Sequence, residues 1–423
     1  MIARVIHWSL QNRWVVLLIS AVLLIVGIIN IQSNPVDAIP DLSENQVIVF
    51  TEWQGRSPQI VEDQITYPLV SNLQGIPKVK NIRATSMFGM SFIYVVFDDN
   101  VDIYWARSRV LERLNYAQRL LPSGITPSLG PDGTGVGHIF WYTLQAKNIN
   151  LGEQRALQDW YVKLALQTVP GVAEVASFGG FEKQYQVVIN PAKLQYYQIS
   201  LQQMLQKIKA NNNDVGGRKF EMSDMGYIIR GLGYIQNIAD IENIALGSYK
   251  GIPVRIKDVA TVQMGGDLRL GVFDENGNGE VVGGIVVMRY GENADKVIKA
   301  VKSKMSDIQK GLPDGVSFHI AYDRSTLIEA AIHNIQSKLI EEMIIVAIIV
   351  IIFLFHWRSA LNIIIQIPIT IAISFILLNL FGISSNIMSL TGIALAIGVI
   401  VDNGIIMSEN AYRHLAEKQN HHS

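Results

Sequence analysis

An acidic residue inside an apolar stretch is the feature of this sequence with the clearest chemistry. Asp402 lies 15 positions after Ile387, in a run of mostly aliphatic residues that extends to Met407. A charge at the centre of a bilayer costs roughly 2.5–3.5 kcal/mol on insertion scales, so its retention implies a partner or a function that offsets the cost. Desolvation raises the pKa of a carboxyl group, which then takes up and releases a proton near neutral pH. Asp402 is therefore predicted to be a proton relay.

Glu409 is the second candidate for this relay. It lies seven residues after Asp402, on nearly the same face of a helix. The alternative interpretation is that both acids mark the cytoplasmic end of the helix. Asp402 is at least halfway along the run, and three apolar residues follow Gly404 before Ser408, which favours the relay.

Methionine is the one side chain here that could offer sulfur to a soft metal ion, because the chain has no cysteine. The absence of cysteine also excludes disulfides, a thiolate metal site and a cysteine nucleophile. Met388 and Met407 lie near the two ends of the apolar run around Asp402, and Met264 precedes a pair of glycines. Methionine is more often core filler than a ligand, so the pattern alone favours a packing role.

Several function classes are excluded or disfavoured by composition and motif. The net charge is −1, with 35 basic and 36 acidic residues, so no nucleic-acid footprint is present. The glycine-rich stretch 130–135 lacks the Gly-Lys-Ser/Thr ending of a P-loop, and no nucleophile–His–Asp set is credible. The chain is therefore predicted not to be an enzyme.

Four apolar runs are predicted to cross a membrane, and the last of them holds Asp402. The runs are 14–31, 339–355, 360–381 and 387–407. A buried core helix seldom stays apolar for this long, and three runs in tandem strengthen the interpretation. The first run resembles a signal peptide, but it is longer than the usual apolar region and no small-residue cleavage site follows it.

The basic residues that flank these runs predict the orientation. They are Arg4, Arg13, Arg358, Arg413, His414 and Lys418. Placing all of them on the cytoplasmic side puts both chain ends in the cytoplasm. The stretch from about 33 to 335 then lies outside.

The outside stretch has the patterning of an α+β domain. Strands are predicted at 47–53, 92–97 and 254–262, helices at 57–73, 104–121 and 201–209, and a polar loop at 211–217. The string 76–82 is echoed by 169–175, and each copy follows an amphipathic helix and leads into a glycine-containing strand. A proline turn between a helix and a returning strand suits a βαβ unit, so two similar α+β subdomains are predicted.

Five motifs together resemble the heavy-metal efflux branch of the resistance-nodulation-division (RND) transporters. They are Asn34-Pro-Val-Asp-Ala-Ile-Pro-Asp-Leu-Ser43, Trp105-Ala-Arg-Ser-Arg-Val110, Leu129-Gly-Pro-Asp-Gly-Thr-Gly-Val-Gly137, Tyr322-Asp-Arg-Ser325, and Val401-Asp402 with Glu409-Asn410. The similarity extends from the N-terminus to about residue 415, and it is greatest to the exporters of copper and silver.

The resemblance implies a membrane α-helical bundle plus an α+β periplasmic domain with ferredoxin-like βαβ porter subdomains. The implied domains are 1–32 (N-terminus and first transmembrane helix), 33–180 (first porter subdomain and start of the second), 181–270 (docking subdomain), 271–335 (rest of the second porter subdomain), 336–412 (transmembrane helices two to four) and 413–423 (cytoplasmic tail). It further implies a multi-pass protein of the inner membrane that works as a homotrimer with a periplasmic membrane-fusion adaptor and an outer-membrane channel. No cofactor is implied beyond the transported ion.

The resemblance also assigns roles to individual residues. Asp402 matches the family's proton-relay aspartate, Glu409 the acid that follows it, and Met388 and Met407 match relay methionines. Exporters of zinc, cobalt or nickel usually carry a second Asp where this chain has Ala396, which favours Cu(I) or Ag(I).

Two positions depart from the copper exporters. Where the copper exporters have a methionine two residues before the relay aspartate, this chain has Ile400. Where they have the periplasmic relay methionine, this chain has Leu268, and Met264 lies four residues earlier. The ion path is therefore expected to differ from theirs, or the transported ion to be another one.

The length of the chain leaves alternatives open. The family has twelve spans in two similar halves, so this chain is expected to be the N-terminal part of such a transporter, through the fourth span. The alternatives are a divalent cation (Zn/Co/Ni) exporter and a non-transporting, membrane-anchored periplasmic scaffold from a truncated gene.

Overall fold

A computed structural model of the chain describes residues 2–222, 225–269, 271–354 and 357–420. The α-helices are α1 Ile2–Gln11, α2 Arg13–Ser33, α3 Pro58–Val61, α4 Tyr67–Leu73, α5 Ile103–Ala117, α6 Leu151–Leu157, α7 Lys163–Gln167, α8 Pro191–Tyr196, α9 Leu201–Ala210, α10 Ile238–Glu242, α11 Ile256–Val259, α12 Ala294–Gln309, α13 Arg324–Leu354, α14 Trp357–Leu380 and α15 Ile387–Asn420. The strands are β1 Gln46–Glu52, β2 Val79–Met87, β3 Met90–Phe97, β4 Ser128–Leu129, β5 His138–Ala146, β6 Val172–Phe178, β7 Lys183–Ile189, β8 Val215–Met222, β9 Met225–Gly231, β10 Ala245–Tyr249, β11 Ile252–Arg255, β12 Ala260–Gly266, β13 Val282–Met288 and β14 Val316–Asp323.

The chain divides into two compact units. Unit 1 comprises Met1–Thr143, Val162–Ala176 and Gly284–Ser423, and unit 2 comprises Leu144–Tyr161 and Ser177–Gly283. Unit 2 has its own apolar core, formed between α8–α11 and strands β10–β12. It contains the segment 181–270 and extends past it on both sides.

The first sheet of unit 1 has the strand order β2-β3-β1-β4, with antiparallel pairing throughout. The four strands belong to one βαββαβ unit. Numbered by their order in the chain, they lie side by side as 4-1-3-2, which is the ferredoxin-like topology. The strand predicted at 47–53 is confirmed as β1, whose alternate residues Val47, Val49 and Thr51 are buried. The helix predicted at 104–121 begins at Ile103 as α5 and gives way at Gln118 to a short 3-10 turn.

The helix predicted at 57–73 is interrupted. α3 and α4 are joined by a π-helical turn, Glu62–Thr66, just before Pro68. Proline has no N–H to donate to the preceding turn, so a locally widened helix is the expected response. The apolar face is kept, because Ile65 and Leu69 are both fully buried against the sheet.

The second sheet of unit 1 repeats the first, with the order β14-β5-β13-β6. Its strands again stand 4-1-3-2 in chain order, and the segment from β7 to β12 is inserted between its second and third strands. The predicted echo of 76–82 in 169–175 marks matching corners of the two repeats. Lys78 and Gly171 occupy equivalent positions there, and both have left-handed backbone, with φ of 63° and 85°.

Two local predictions were wrong. The stretch 211–217 is not all loop, because β8 begins at Val215. The predicted strand 254–262 contains the helical turn α11 between β11 and β12. The Asp258 carboxylate accepts a hydrogen bond from the Arg255 backbone N–H at 2.7 Å, and this cap stabilises a helical turn among β-favouring residues.

Two helices among the described residues are long and apolar enough to cross a membrane, Arg13–Ser33 and Ile387–Ala411. The apolar part of α14, Ile365–Leu380, is shorter. The predicted run 339–355 is helical as far as Leu354 in α13, and residue 355 lies outside the described residues. A four-span bundle therefore stays a prediction.

Close packing of small and branched residues joins α2, α14 and α15. Gly27 of α2 lies against Ala372 of α14, so closely that a Cβ on Gly27 would collide with the Cβ of Ala372. Small residues allow such approach between membrane helices. On its other side, α14 contributes Ile367 to a buried cluster with Ile393 and Ile397 of α15. These contacts fix which face of α15 is covered.

Candidate membrane relay on α15

Asp402 lies near the middle of α15, within the apolar segment Ile387–Ala411. The buried face of α15 is marked by Ile393 and Ile397, which pack toward α14. Asp402 is nine residues from Ile393, half a helical rotation away, and its side chain is exposed. The face of α15 that carries this carboxylate is therefore turned away from the cluster with α14.

Three of the four predicted site residues of α15 form a row rather than a cluster, and Met407 lies off this row. Met388, Leu395, Asp402 and Glu409 recur every seven residues, and all four are exposed. Met388 is 14 residues from Asp402, about 21 Å along the helix axis. Met407 is 65% exposed and lies about 140° around the helix from Asp402. The structure thus places acids and thioethers along one helix, at successive positions on its axis.

Met264 belongs to unit 2. It is on β12, directly opposite Tyr185 of β7, and about half of it is exposed. Leu268 follows the strand and is largely exposed. Within the described part of the chain, no group of three or more His, Cys, Asp or Glu is gathered so that it could hold a metal ion.

The N-terminus of α15 is fixed by a polar clasp to the segment that follows α2. The Asn34 amide donates to the Ser385 hydroxyl at 2.8 Å, and both residues are buried. Backbone bonds run in both directions, from Ser385 N–H to Pro35 O at 2.9 Å and from Asp37 N–H to Ser385 O at 3.1 Å. The clasp therefore couples the start of the Asp402 helix to the exit of α2.

A part-buried ion pair extends this clasp. Arg324, the first residue of α13, is 5% exposed and donates to the Asp37 carboxylate at 3.3 Å and to the His138 carbonyl of β5 at 3.3 Å. Burial raises the pKa of Asp37, and the charge of Arg324 acts in the opposite direction. The predicted site list does not contain this pair. Asp37 and Arg324 each lie in a motif that carries the family resemblance, and this was the sequence signal that could have identified the pair.

A cavity of about 360 Å³ lies beside the clasp within unit 1. Its lining includes Asp37, Asp41, Arg289, Glu292 and the α14–α15 link at Ser384. Asp41 accepts a hydrogen bond from Thr134 at 2.8 Å, which fixes one wall. The lining is mixed, because apolar side chains such as Ile39, Val136 and Ile383 lie beside the charged ones.

The model of the AcrB/AcrD/AcrF family matches residues 5–423. Cation efflux system protein CusA of Escherichia coli K12 is 47% identical over 100% of this chain, and cobalt-zinc-cadmium resistance protein CzcA of Cupriavidus metallidurans is 36% identical over 100% of it. A crystal structure of a heavy metal efflux pump superposes with a TM-score of 0.87 at 34% identity and covers 97% of this chain. The chain spans 41%, 40% and 41% of these three proteins, respectively.

Proposed function

The chain belongs to the AcrB/AcrD/AcrF family and corresponds to the N-terminal part of its heavy-metal efflux members, and from this premise we propose that it forms the first part of an inner-membrane exporter of heavy-metal cations driven by proton entry. α2 and α15 would cross the bilayer, and the β-sheet domain would lie in the periplasm. Transport itself is proposed for the complete protein, since the chain spans 41% of CusA.

The observation that carries the proposal is the placement of Asp402. The carboxylate lies within an 18-residue-or-longer apolar helix and on the face turned away from α14. A charged side chain facing lipid at this depth is costly, so this face is expected to meet further protein or an aqueous path. In that setting, protonation of Asp402 changes the net charge of the helix and thereby its preferred contacts.

We propose Cu(I) or Ag(I) as the transported ion. Both are soft cations that favour thioether ligands. Met388 and Met407 on α15 and Met264 in unit 2 are the proposed ligands along the path, and all three side chains are exposed. Ala396 supports this choice, because divalent exporters usually place a second aspartate there. The second candidate is a divalent ion, and it is supported by the 36% identity to CzcA, whose name specifies cobalt, zinc and cadmium resistance.

The resemblance supports a homotrimer that works with a periplasmic adaptor and an outer-membrane channel. These partners are proposed for the complete transporter. A non-transporting scaffold is the competing function, and it requires no ionisable group inside a span.

A resistance assay with the full-length protein tests the proposal, metal by metal. Asp402→Asn is expected to abolish resistance to Ag(I) and Cu(I), and Glu409→Gln to weaken it. Asp314→Asn, at an exposed turn before β14, is the matched control and should leave resistance intact. Unchanged resistance in the Asp402→Asn strain, at equal protein level in the membrane, would refute the relay. Resistance to zinc or cobalt but not to silver would instead favour the divalent candidate.

A further inference from the structure

The β2–β3 hairpin of unit 1 ends in two methionines that face each other. Met87 and Met90 are directly paired across the strands, with the two-residue turn Phe88–Gly89 between them. Gly89 has φ of 72°, which the turn requires and glycine adopts without strain. Cβ atoms of directly opposite residues are about 4.5–5.5 Å apart, so two such thioethers can reach one ion.

The face of the sheet on which these methionines lie is fixed by their neighbours. Ser86 and Ser91 each lie 2.8 Å from the Thr66 hydroxyl, on the side covered by the helices. Successive side chains in a strand alternate between faces, so Met87 and Met90 lie on the opposite, open face. Met87 is 49% exposed, and Met90 is half-buried. Core packing therefore does not account for Met87, and it covers Met90 only in part.

A carboxylate lies beside the two methionines. Glu52 of β1 is directly opposite Met90 and is exposed. Met87, Met90 and Glu52 thus stand side by side across three adjacent strands. The tip is held in place, since the Trp53 N–H donates to the Gly89 carbonyl at 2.7 Å and the Gly89 N–H donates to the Arg56 carbonyl at 2.9 Å.

The same arrangement recurs in unit 2. Met222 and Met225 are directly paired at the end of the β8–β9 hairpin, again with two residues between them. They are 56% and 61% exposed. This hairpin forms a two-stranded sheet, so no described third strand places a carboxylate beside the pair.

We propose that Met87, Met90 and Glu52 bind one soft monovalent cation, Cu(I) or Ag(I), on the open face of the first sheet. Two neutral thioethers favour a soft ion, and one carboxylate balances its single charge. The site would capture ions from the periplasm before they enter the transport path. The inference rests on the proposed function for the identity of the ion, but the site is separate from the α15 row. The Met222–Met225 pair is expected to bind more weakly, because it lacks the carboxylate.

The test is a titration of the full chain with silver nitrate, followed through the methyl resonances of ¹³C-labelled methionines. The Met87 and Met90 signals are expected to shift together and to saturate together. Met90→Leu and Glu52→Gln are each expected to weaken the Met87 response by about tenfold or more, a size common for changes near metal sites. Met305→Leu, in the buried core of α12, is the matched control and should leave that response unchanged. Zinc chloride should shift neither signal.

The outcomes separate the two proposals. If Met87 and Met90 do not respond to excess Ag(I) while the full-length protein still confers silver resistance, the capture site is wrong and the proposed function stands. A Met87 response that survives Met90→Leu at full strength also overturns the shared site. If the protein confers no silver resistance and no methionine responds, the silver and copper assignment fails as well.

Discussion

Arg324 and Asp37 form an ion pair across 287 positions of the chain, with Nη1 of the arginine 3.3 Å from Oδ2 of the carboxylate. Arg324 begins α13, and Asp37 stands in the segment that clasps the start of α15. The same guanidinium bonds the carbonyl of His138 in β5. One side chain therefore joins the second sheet of unit 1 to the segment at the start of the helix that carries Asp402.

Removing one partner of this pair is expected to destabilise the protein. In Asp37→Asn the buried Arg324 charge loses its counter-ion, but the loss should be smaller than the roughly 3–5 kcal/mol typical of fully buried pairs, because Asp37 is half-buried and burial already raises the pKa of its carboxyl group. The double variant Asp37→Asn with Arg324→Met removes the unpaired charge and should recover part of the loss. Thermal unfolding of the four proteins of this cycle measures the coupling. Additive effects would contradict a direct interaction.

Asp323 is expected to make stability depend on acid pH. Burial favours a higher pKa for Asp323, but hydrogen bonds from Lys302 and Ser325 and the Lys302 charge prevail and lower it. An acid with a lowered pKa in the folded state contributes stability above its unfolded value of 3.8, and this contribution is lost as the pH falls through the folded value.

The measurement is the difference in unfolding temperature between wild type and Asp323→Asn across the acid range. The difference should be largest near neutral pH and should vanish in acid. Asp307→Asn is the control, because Asp307 forms its ion pair with Lys310 on the exposed surface, where such pairs contribute little. A wild-type advantage that persists unchanged to the lowest pH would contradict this account.

Two glycines with the same φ angle allow the cost of backbone strain to be distinguished from the cost of steric overlap. Gly171 and Gly124 both have φ of 85°. A Cβ on Gly171 would be 2.6 Å from Cγ2 of Val297, whereas one on Gly124 would have nothing within 4 Å. Both alanine variants carry the left-handed strain of about 1–2 kcal/mol. Gly171→Ala adds overpacking, which typically costs about 1–3 kcal/mol more.

Chemical or thermal unfolding of the two variants tests this difference. Equal losses in Gly171→Ala and Gly124→Ala would show that helix α12, which carries Val297, does not pack tightly against the corner after α7. That result would contradict the close packing at the second repeat.

Local patterns predicted the elements whose residues alternate between one buried and one open face. β1 and β3 are of this kind, and so is α5, whose buried residues recur at helical spacing. The echo between 76–82 and 169–175 predicted the repeat, because a proline turn followed by a left-handed residue imposes the same corner twice. α11 was missed, because a single capping contact from Asp258 overrides the β-favouring composition around it.

The site was predictable only in part, for a related reason. The placement of Asp402 within an apolar helix follows from local composition, and the structure has it within α15. The Arg324–Asp37 pair depends on tertiary structure, since its members are 287 positions apart in the chain. The arrangement of Met87 beside Met90 and Glu52 likewise requires the strand register, which composition does not provide.

The central claim is that Asp402 couples proton entry to metal export, and proteoliposomes containing the full-length transporter test it most directly. With a pH gradient imposed and Ag(I) supplied, the wild-type protein should move silver and protons in opposite directions. Asp402→Asn should stop both fluxes while silver still binds to the protein. Silver transport by the Asp402→Asn protein at the wild-type rate, with protons still exchanged, would contradict the claim.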